Sequence, residues 1–408
     1  MWINFEQSID RRLTVAELDN EQNKAKNLRS KGAAIVRGVA GSGKSLVLRN
    51  RVQKLLEDFD DLLVLSYNRF MKEWLKANFQ AANVSVECKT FHQWAYQKLK
   101  YRYDYDLDEV VRLAKKCDRQ YQAILIDEAQ DFYDEWFLAL TEVLDPKTEA
   151  LFIVYDNTQS VYGQPHRRKS NWTWKSLGIN IPGGRSQVFD VNYRNSPEIL
   201  ELAWQFIEPA LFAADMNVEK RERDESGKVI KTPSIGSIIE PKKKLTRSSG
   251  IEPLLLEVYY EDMPNKIAYE VRDALNTHSE SSIGILVHPQ NKDLKQEISR
   301  ELAALNIDHH APRTSQDREG NVVDRPYIIV DSWNALKGVE FDAVIIAGVD
   351  SLTQYAPDAE VDFEAKAGLY TAITRAKDHL VMLYENKDLV VDEIAAALQH
   401  SDRLEGVE

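Results

Sequence analysis

Eight consecutive residues, GVAGSGKS from Gly38 to Ser45, have the GxxxxGKS spacing of a loop that binds nucleotide phosphates. Residues 33–37 predict a buried strand before the loop, and the apolar spacing of residues 46–56 predicts a helix after it. Glycines leave room for a phosphate beside the main chain, and the N–H groups at the start of the helix would face it. The predicted nucleotide contacts here are Gly38, Ala40, Gly41, Ser42, Gly43, Lys44 and Ser45.

Two side chains give this loop its specific chemistry. Lys44 supplies a cation for the β- and γ-phosphates, and Ser45 supplies a hydroxyl ligand for Mg²⁺. A glycine-rich turn can also be purely structural, but Lys-Ser in register with both flanking elements favours a nucleotide site. ATP and Mg²⁺ are therefore the expected cofactors.

A second motif consists of two acids at the end of an apolar run. Residues 123–126 predict a central strand, and Asp127 and Glu128 follow it directly. Asp127 can hold Mg²⁺, which prefers oxygen ligands, and Glu128 can orient and deprotonate an attacking water. Acidic pairs are common in turns, but this pair follows a phosphate-binding loop and is therefore interpreted as catalytic. Together the two motifs predict an enzyme that hydrolyses ATP.

The rest of the chain alternates predicted strands and helices, which indicates an α/β fold with mostly parallel sheets. Two lobes are expected, residues 1–189 and 190–408, with the charged stretch 214–250 as a linker or mobile insertion. Residues 84–86 predict a short strand, and residues 102–119 predict a charged helix.

Composition limits the location and the partners. The chain has 408 residues, two cysteines and a formal net charge of −13. It contains no run of 18 apolar residues and no signal-peptide pattern at its start, so we expect a cytoplasmic protein without a membrane partner. The acidic balance means that nucleic acid, if bound, must use a local groove.

Some residues allow two interpretations. Tyr67 and Arg69 follow a predicted strand and suit either a base with its phosphate or a loop anchored by one buried ring; the residues alone favour the anchor. Phe91 has the spacing of a core residue, and His92 alone would be a surface histidine. A basic run at 167–169 precedes Trp172 and Trp174, and a nucleic-acid surface and ordinary strand packing are equally good interpretations there.

Taken together, the motifs GVAGSGKS, LIDEAQD, DNTQSVYG, NYRNS, KGVEF and TAITRA resemble those of UvrD/Rep-type superfamily 1 helicases in content and order. The resemblance covers most of residues 18–384. RGVAGSGK, TFHQWA and WKSLGI are most similar to the helicase part of bacterial NERD-domain proteins. The resemblance implies two RecA-like P-loop lobes with ATP between them.

The resemblance also implies roles for individual residues. Gln22 would contact adenine and Tyr193 would stack on it, while Glu340 in the KGVEF motif, beside Gly338, would hold the ribose. Gln159 would sense the γ-phosphate, and Arg194 and Arg375 would act as arginine fingers. The residues expected to contact single-stranded nucleic acid are Tyr67, Asn68, Arg69, Thr90, Phe91 and His92.

The chain departs from this family in length. Only residues 93–126 lie between His92 and Asp127, too few for the family's first accessory domain, and residues 195–336 leave no room for its large second insertion. We therefore expect an ATP-driven translocase on single strands, DNA rather than RNA, moving 3′ to 5′. It should unwind duplexes weakly without a protein partner or oligomer. The alternative is a nucleotide-gated switch that does not translocate.

Overall fold

The computed structural model describes residues 2–3, 18–67, 69–102, 106–156, 158, 173–216, 219–223, 229–233, 238–247, 249–314, 317, 327–354, 363–399 and 403–407. The chain forms two compact units. The first unit comprises Ala16–Asp190 and Phe212–Ile239, and the second comprises Val191–Leu211, Glu240–Glu408 and the N-terminal segment that holds Trp2 and Ile3. The main boundary therefore falls after Asp190, one residue from the predicted division at 189/190.

The first unit is built on a parallel sheet, in which six strands are described, with the order β3-β2-β4-β5-β1-β6. Every residue of the inner strands β2, β4 and β5 is buried, which is typical of a parallel sheet covered on both faces. Ile124 packs into the core on one face, and its neighbour Leu125 packs into the core on the other. The strands are β1 (Ala34–Gly38), β2 (Leu62–Ser66), β3 (Glu87–Thr90), β4 (Ala123–Ile126), β5 (Ala150–Tyr155) and β6 (Ser186–Phe189).

Helices connect these strands. The first begins at a capping box, in which the N–H of Gln22 donates to Asp19 Oδ1 (2.7 Å) and the N–H of Asp19 donates to Gln22 Oε1 (3.0 Å). The described helices are α1 (Asn20–Lys26), α2 (Lys44–Leu55), α3 (Arg69–Ala81), α4 (Phe91–Trp94) continued by a π-helical turn (Ala95–Leu99), α5 (Leu107–Ala114) and α6 (Asp134–Glu142).

Two predicted elements of this unit were misplaced. The strand expected at 84–86 lies at Glu87–Thr90, where it pairs with β2. The helix expected over 102–119 covers only Leu107–Ala114, because its apolar face is two turns long and ends at Ala114.

The second unit contains a parallel sheet with the order β11-β15-β14-β12-β13 in its described part. Its apolar strands confirm the α/β fold with parallel sheets. The strands are β11 (Leu254–Glu257), β12 (Ser282–Val287), β13 (Tyr327–Ser332), β14 (Phe341–Ala347) and β15 (Ala376–Tyr384). The helices are α7 (Pro197–Met216, which runs past Leu211 into the first unit), α8 (Met263–Thr277), α9 (Lys292–Ala304), α10 (Ser351–Gln354), α11 (Phe363–Ile373) and α12 (Leu389–Gln399).

The charged stretch 214–250, predicted as a linker or mobile insertion, contains regular structure in its described residues. Its first half forms an antiparallel hairpin of β8 (Glu219–Arg223) and β9 (Val229–Pro233). Near its end, β10 (Lys242–Lys244) is the middle strand of a parallel sheet between β7 (Val191–Asn192) and β16 (Gly406–Val407). Lys243 is buried there because its ammonium group pairs with the carboxylate of Glu201 at 3.2 Å. A run of three lysines predicts exposed side chains, so the sequence gives no indication that Lys243 is buried.

The chain's N-terminal segment contributes to the second unit. Ile3 is buried in the core beside Val258 and Ile267, and its N–H donates to the carboxylate of Glu270 at 2.7 Å. The N–H of Trp2 donates to the same oxygen. Across the described part of the chain, no helix has both the length and the apolar character needed to cross a bilayer.

Candidate nucleotide and nucleic-acid sites

The phosphate-binding loop adopts the strand–turn–helix arrangement that its sequence predicts, from the end of β1 at Gly38 to the start of α2 at Lys44. Gly41 and Gly43 have φ of 65° and 81°, the left-handed region that favours glycine. A Cβ on Gly38 would lie 2.5 Å from Ser42 Oγ, and one on Gly43 would lie 2.6 Å from the Gln22 amide nitrogen. Gly38 therefore requires glycine for space, since Phe189 also lies close to that position, and Gly43 requires glycine for its backbone conformation.

Lys44 is buried at the start of α2. Its Nζ donates to the carbonyl of Gly38 (3.0 Å) and to that of Val39 (2.7 Å), and it lies 3.7 Å from the carboxylate of Asp156. These contacts hold the ammonium group over the loop, at the end of the helix where anions are stabilised. The group is thus positioned to meet a phosphate.

The two predicted Mg²⁺ ligands are adjacent. Ser45 Oγ donates to Asp127 Oδ2 at 3.0 Å, although 82 residues separate them in the chain. A hydroxyl and a carboxylate beside a phosphate-binding loop fit Mg²⁺, which takes one or two protein oxygens and completes its shell with phosphate and water. Burial and the neighbouring charge of Glu128 raise the pKa of Asp127, and a bound divalent cation would favour its ionised form.

Glu128 has a strained backbone, with φ 53° and ψ 42°. A non-glycine residue in this region persists only where its surroundings hold it, and such residues concentrate at functional sites. Its N–H donates to Asp127 Oδ1 at 3.1 Å, and its carboxylate accepts a hydrogen bond from the side-chain amide of Gln130. Gln130 was not among the predicted site residues.

The helix that carries Gln22 is fixed beside the loop. The Gln22 amide donates to the carbonyl of Ser42 at 3.0 Å. At the end of α1 and just beyond it, Arg51 of α2 donates to the carbonyls of Lys26 and Leu28 through Nη1 and to that of Arg29 through Nη2 (2.9, 2.5 and 2.8 Å). Burial and the charge of Arg185 lower the pKa of Arg51 to about 10. Arg51 is a buried side chain that connects α2 to the end of α1 and the residues after it. Sequence analysis missed it, because a lone arginine on a helix does not indicate such contacts.

Five further predicted ATP contacts, Tyr193, Arg194, Gly338, Glu340 and Arg375, belong to the second unit. The NYRNS and TAITRA motifs lie side by side there. Arg194 Nη1 donates to the carbonyl of Thr374 (3.3 Å), as does the side-chain amide of Asn195 (3.1 Å). Arg375 is buried, and its Nε donates to the carbonyl of Thr371 at 3.0 Å.

Glu340, predicted as a ribose contact, is paired with Arg194 in this structure. Glu340 Oε1 accepts from Arg194 Nε at 2.8 Å and lies 2.7 Å from Nη2, while Oε2 lies 3.6 Å from Lys377 Nζ. The side chain of Glu340 is 39% exposed, so its partial burial only weakly opposes ionisation, and the charges of Arg194 and Lys377 lower its pKa to about 2. The carboxylate is therefore ionised at any physiological pH.

The predicted nucleic-acid residues divide into buried and accessible groups. Phe91 is 0% exposed, and its ring stacks on Trp136 at 4.2 Å. Thr90 is buried and caps α4 by accepting from the N–H of Gln93. Because neither presents a free surface, the prediction that Phe91 stacks on a base conflicts with its place in the core. His92 is exposed, with its ring edge-on to Trp136 at 4.8 Å.

Tyr67 is half-buried, and its ring lies 6.3 Å from that of Trp136. Trp136 therefore lies at the centre of an aromatic cluster that sequence analysis missed, although the run DFYDEWF after the acidic motif was its signal. Trp174 packs against Phe137 and Tyr155, but it does so from the 3₁₀ helix Trp174–Leu177 and not from the predicted strand. Asn68, Gln159, residues 167–169 and Trp172 lie outside the described residues.

The second unit contains a cavity of about 640 Å³ at the ends of β12 and β13. Four cationic side chains line it, namely Lys292, Lys295, Arg300 and Arg313. Lys295 is paired with the buried carboxylate of Asp331 at 2.6 Å. The lining retains a net positive charge within an acidic chain, and it too was missed because its cations come from α9 and from a separate loop.

Two segments of the chain match models of known families. Residues 22–165 match the model of an AAA domain, and residues 327–383 match that of a UvrD-like helicase C-terminal domain. In these two segments the chain resembles UvrD/Rep-like helicases. An AAA domain followed by a UvrD-like helicase C-terminal domain indicates a superfamily 1 helicase-type ATPase that uses ATP. A search of curated proteins gave no match.

Proposed function

We propose that this UvrD-like protein is an ATP-driven motor that moves along single-stranded DNA. The observation that carries the proposal is the pairing of Ser45 with Asp127 at 3.0 Å, beside Glu128 in a strained and hydrogen-bonded position. That arrangement offers a metal site and a base at the mouth of a phosphate-binding loop. A structural turn has no need of either.

In the proposed reaction, the loop N–H groups and Lys44 bind the phosphates of ATP. Mg²⁺, held by Ser45 and Asp127, would neutralise charge on the phosphates when bound. The Glu128 carboxylate accepts a proton from the attacking water as the bond from water to the γ-phosphorus forms and the bond to the ADP oxygen breaks. Gln159, Arg194 and Arg375 are proposed to stabilise the charge of the transferring group.

The proposed strand-binding surface differs from the sequence-based one. In the first unit it comprises His92, Tyr67 and Arg69, without Phe91. In the second unit it comprises the cationic cavity of Lys292, Lys295, Arg300 and Arg313, whose side chains suit a phosphate backbone. A local positive surface of this kind is what an acidic chain needs to bind DNA.

We propose weak unwinding because the described residues between the motifs form helices and strands of the two units and not an accessory domain. In the described residues between His92 and Asp127, α4, its π-helical continuation and α5 lead directly to β4. Separating base pairs must overcome about 1.4 kcal/mol of stacking per step, which favours motors with an added wedge. We propose that a partner or an oligomer supplies it.

The deciding experiment measures the steady-state ATPase rate alone, with single-stranded DNA, with RNA of the same sequence and with blunt duplex. A motor of this kind is stimulated most by single-stranded DNA, and stopped-flow translocation should give arrival times that increase with strand length and a 3′ to 5′ direction. If none of these nucleic acids changes the ATPase rate, the protein is instead a nucleotide-gated switch. Strand displacement on tailed duplexes by the monomer should be poor, and efficient processive unwinding would contradict the proposed need for a partner.

A further inference from the structure

Gln130 links the end of one strand to the end of its neighbour. It is fully buried in the 3₁₀ turn Ala129–Asp131, directly after β4. Its Nε2 donates to the carboxylate of Glu128, and its Oε1 accepts from the N–H of Asp156 at 3.0 Å, just past the end of β5. The side chain of Gln130 thus joins the carboxylate of Glu128, the proposed base, to the main-chain N–H of Asp156, which lies 26 residues after Gln130.

The chemistry of the two neighbours requires an amide at this position. The N–H of Asp156 can only donate, so the oxygen of the Gln130 amide must face it. The NH₂ group must then face Glu128, where it makes a hydrogen bond to a charged acceptor, the stronger kind. A carboxylate could meet Asp156 but would repel Glu128, and an apolar side chain would lose both hydrogen bonds.

The same strand end also contacts the phosphate-binding lysine. Asp156 Oδ2 lies 3.7 Å from Lys44 Nζ, and its Oδ1 accepts from the N–H of Thr158 at 2.9 Å. The contacts Glu128–Gln130–Asp156–Lys44 therefore form one continuous network inside the first unit. Movement of the Asp156 segment would be transmitted to the base through a single amide.

We propose that Gln130 is a positioning residue that holds the carboxylate of Glu128 in the orientation needed to accept a proton from water. The inference rests on the proposed function, because it assumes that Glu128 is the base. Glu128 has several rotatable bonds and a strained backbone, so a fixed donor at its carboxylate defines where the base lies. Misplacement of a catalytic group by about 1 Å can reduce a rate by about 100-fold.

The test uses Gln130→Glu, which keeps the size and the acceptor for Asp156 but replaces the donor to Glu128, together with Gln130→Leu. The expected result is a fall in kcat of about 10- to 100-fold, with the Kd for ATP, measured by equilibrium binding, changed by less than about threefold. Gln122→Glu is the matched control. The Gln122 amide oxygen accepts from the N–H groups of Asp60 and Asp61, at the opposite end of β4, so a carboxylate can replace it. Its kcat should equal that of the parent.

A double mutant separates positioning from a general structural effect. In a Glu128→Gln background, Gln130→Glu should produce no further loss in the single-turnover rate, because the base that it positions is already absent. Parent-like kcat in Gln130→Glu, or an equal further loss in the double mutant, would overturn the inference. If Glu128→Gln itself keeps normal turnover, the assignment of the base fails, and the inference fails with it. Gln130→Glu is nearly isosteric and carries the test if Gln130→Leu does not fold.

Discussion

One oxygen of Glu340 is held by two nitrogens of Arg194, at 2.8 Å from Nε and 2.7 Å from Nη2. The two residues are 146 positions apart, and both belong to motifs that the sequence assigns to ATP. A proposed arginine finger is therefore paired with a carboxylate, which would compete with a phosphate for the guanidinium. In this structure the carboxylate of Glu340 therefore binds the guanidinium of Arg194, in addition to its predicted contact with ribose.

The pairing predicts a pH-dependent difference in stability between the parent and Glu340→Gln. The pKa of Glu340 is lowered to about 2, so its charged form stabilises the folded protein at all pH values above the ordinary glutamate pKa. That contribution is lost as the pH falls through the range from the ordinary value to about 2. Urea unfolding at pH 7, 5, 4 and 3 should show the variant less stable at pH 7 and the difference shrinking below about pH 4.5.

The control for this prediction is Glu21→Gln, which removes an exposed ion pair with Lys24. Exposed pairs contribute little, so this variant should match the parent at each pH. A difference between the parent and Glu340→Gln that stays constant down to pH 3 would show that the ionised pair contributes nothing.

Lys44→Ala and Glu128→Gln should fail at different steps. Lys44→Ala removes a cation from the phosphate site and should weaken ATP binding by about 10- to 100-fold, the equivalent of one charge-assisted hydrogen bond. Glu128→Gln should bind ATP normally and lower kcat by about 10²- to 10⁴-fold, because only the base is removed. Equilibrium nucleotide binding and single-turnover hydrolysis distinguish the two. Glu142→Gln, at the exposed end of α6, is the control, and near-normal turnover in Glu128→Gln would refute the assignment.

The aromatic cluster around Trp136 predicts opposite effects for neighbouring residues. His92→Ala and Tyr67→Ala should weaken binding of single-stranded DNA by about 1–3 kcal/mol and leave the basal ATPase rate unchanged. Phe91→Ala should instead destabilise the folded protein by about 3–5 kcal/mol, because it removes a buried ring that stacks on Trp136. Fluorescence anisotropy with labelled DNA and thermal unfolding measure the two effects. Loss of DNA affinity in Phe91→Leu at parent-like stability would restore Phe91 as a contact.

Arg51 should stabilise α1 and, through it, the ATP site. Arg51→Leu removes the donor to three carbonyls at and beyond the end of the helix and should destabilise the protein by at least about 2 kcal/mol. Arg51→Lys should recover little, because an ammonium group cannot reproduce the planar fork of a guanidinium. The KM for ATP should rise in both variants. Arg49 lies two residues earlier on the same helix and donates to Asn78 Oδ1 at 3.2 Å, so Arg49→Leu should change neither quantity by as much.

The sequence alone determined the chemistry that depends on local spacing. A phosphate-binding loop needs a strand, a glycine turn and a helix within about twenty residues, so residues 33–56 carry all of its parts. The acids Asp127 and Glu128 were equally clear, since they follow a buried strand directly. The inner strand β4 was predicted at its observed ends, because a parallel strand buried on both faces is a continuous apolar run.

Tertiary structure decided which side chains meet across long separations. Nothing in the spacing of Gln130 and Asp156, or of Arg194 and Glu340, indicates contact, because each pair is brought together by the register of neighbouring strands and loops. The two- and three-residue strands β7, β10 and β16 are too short to show a period, so the burial of Lys243 depends on its partners alone. Phe91 has the residue type of a base platform, but packing against Trp136 makes it part of the core. Residue type defines what a side chain can do, and only the packing around it defines what it is free to touch.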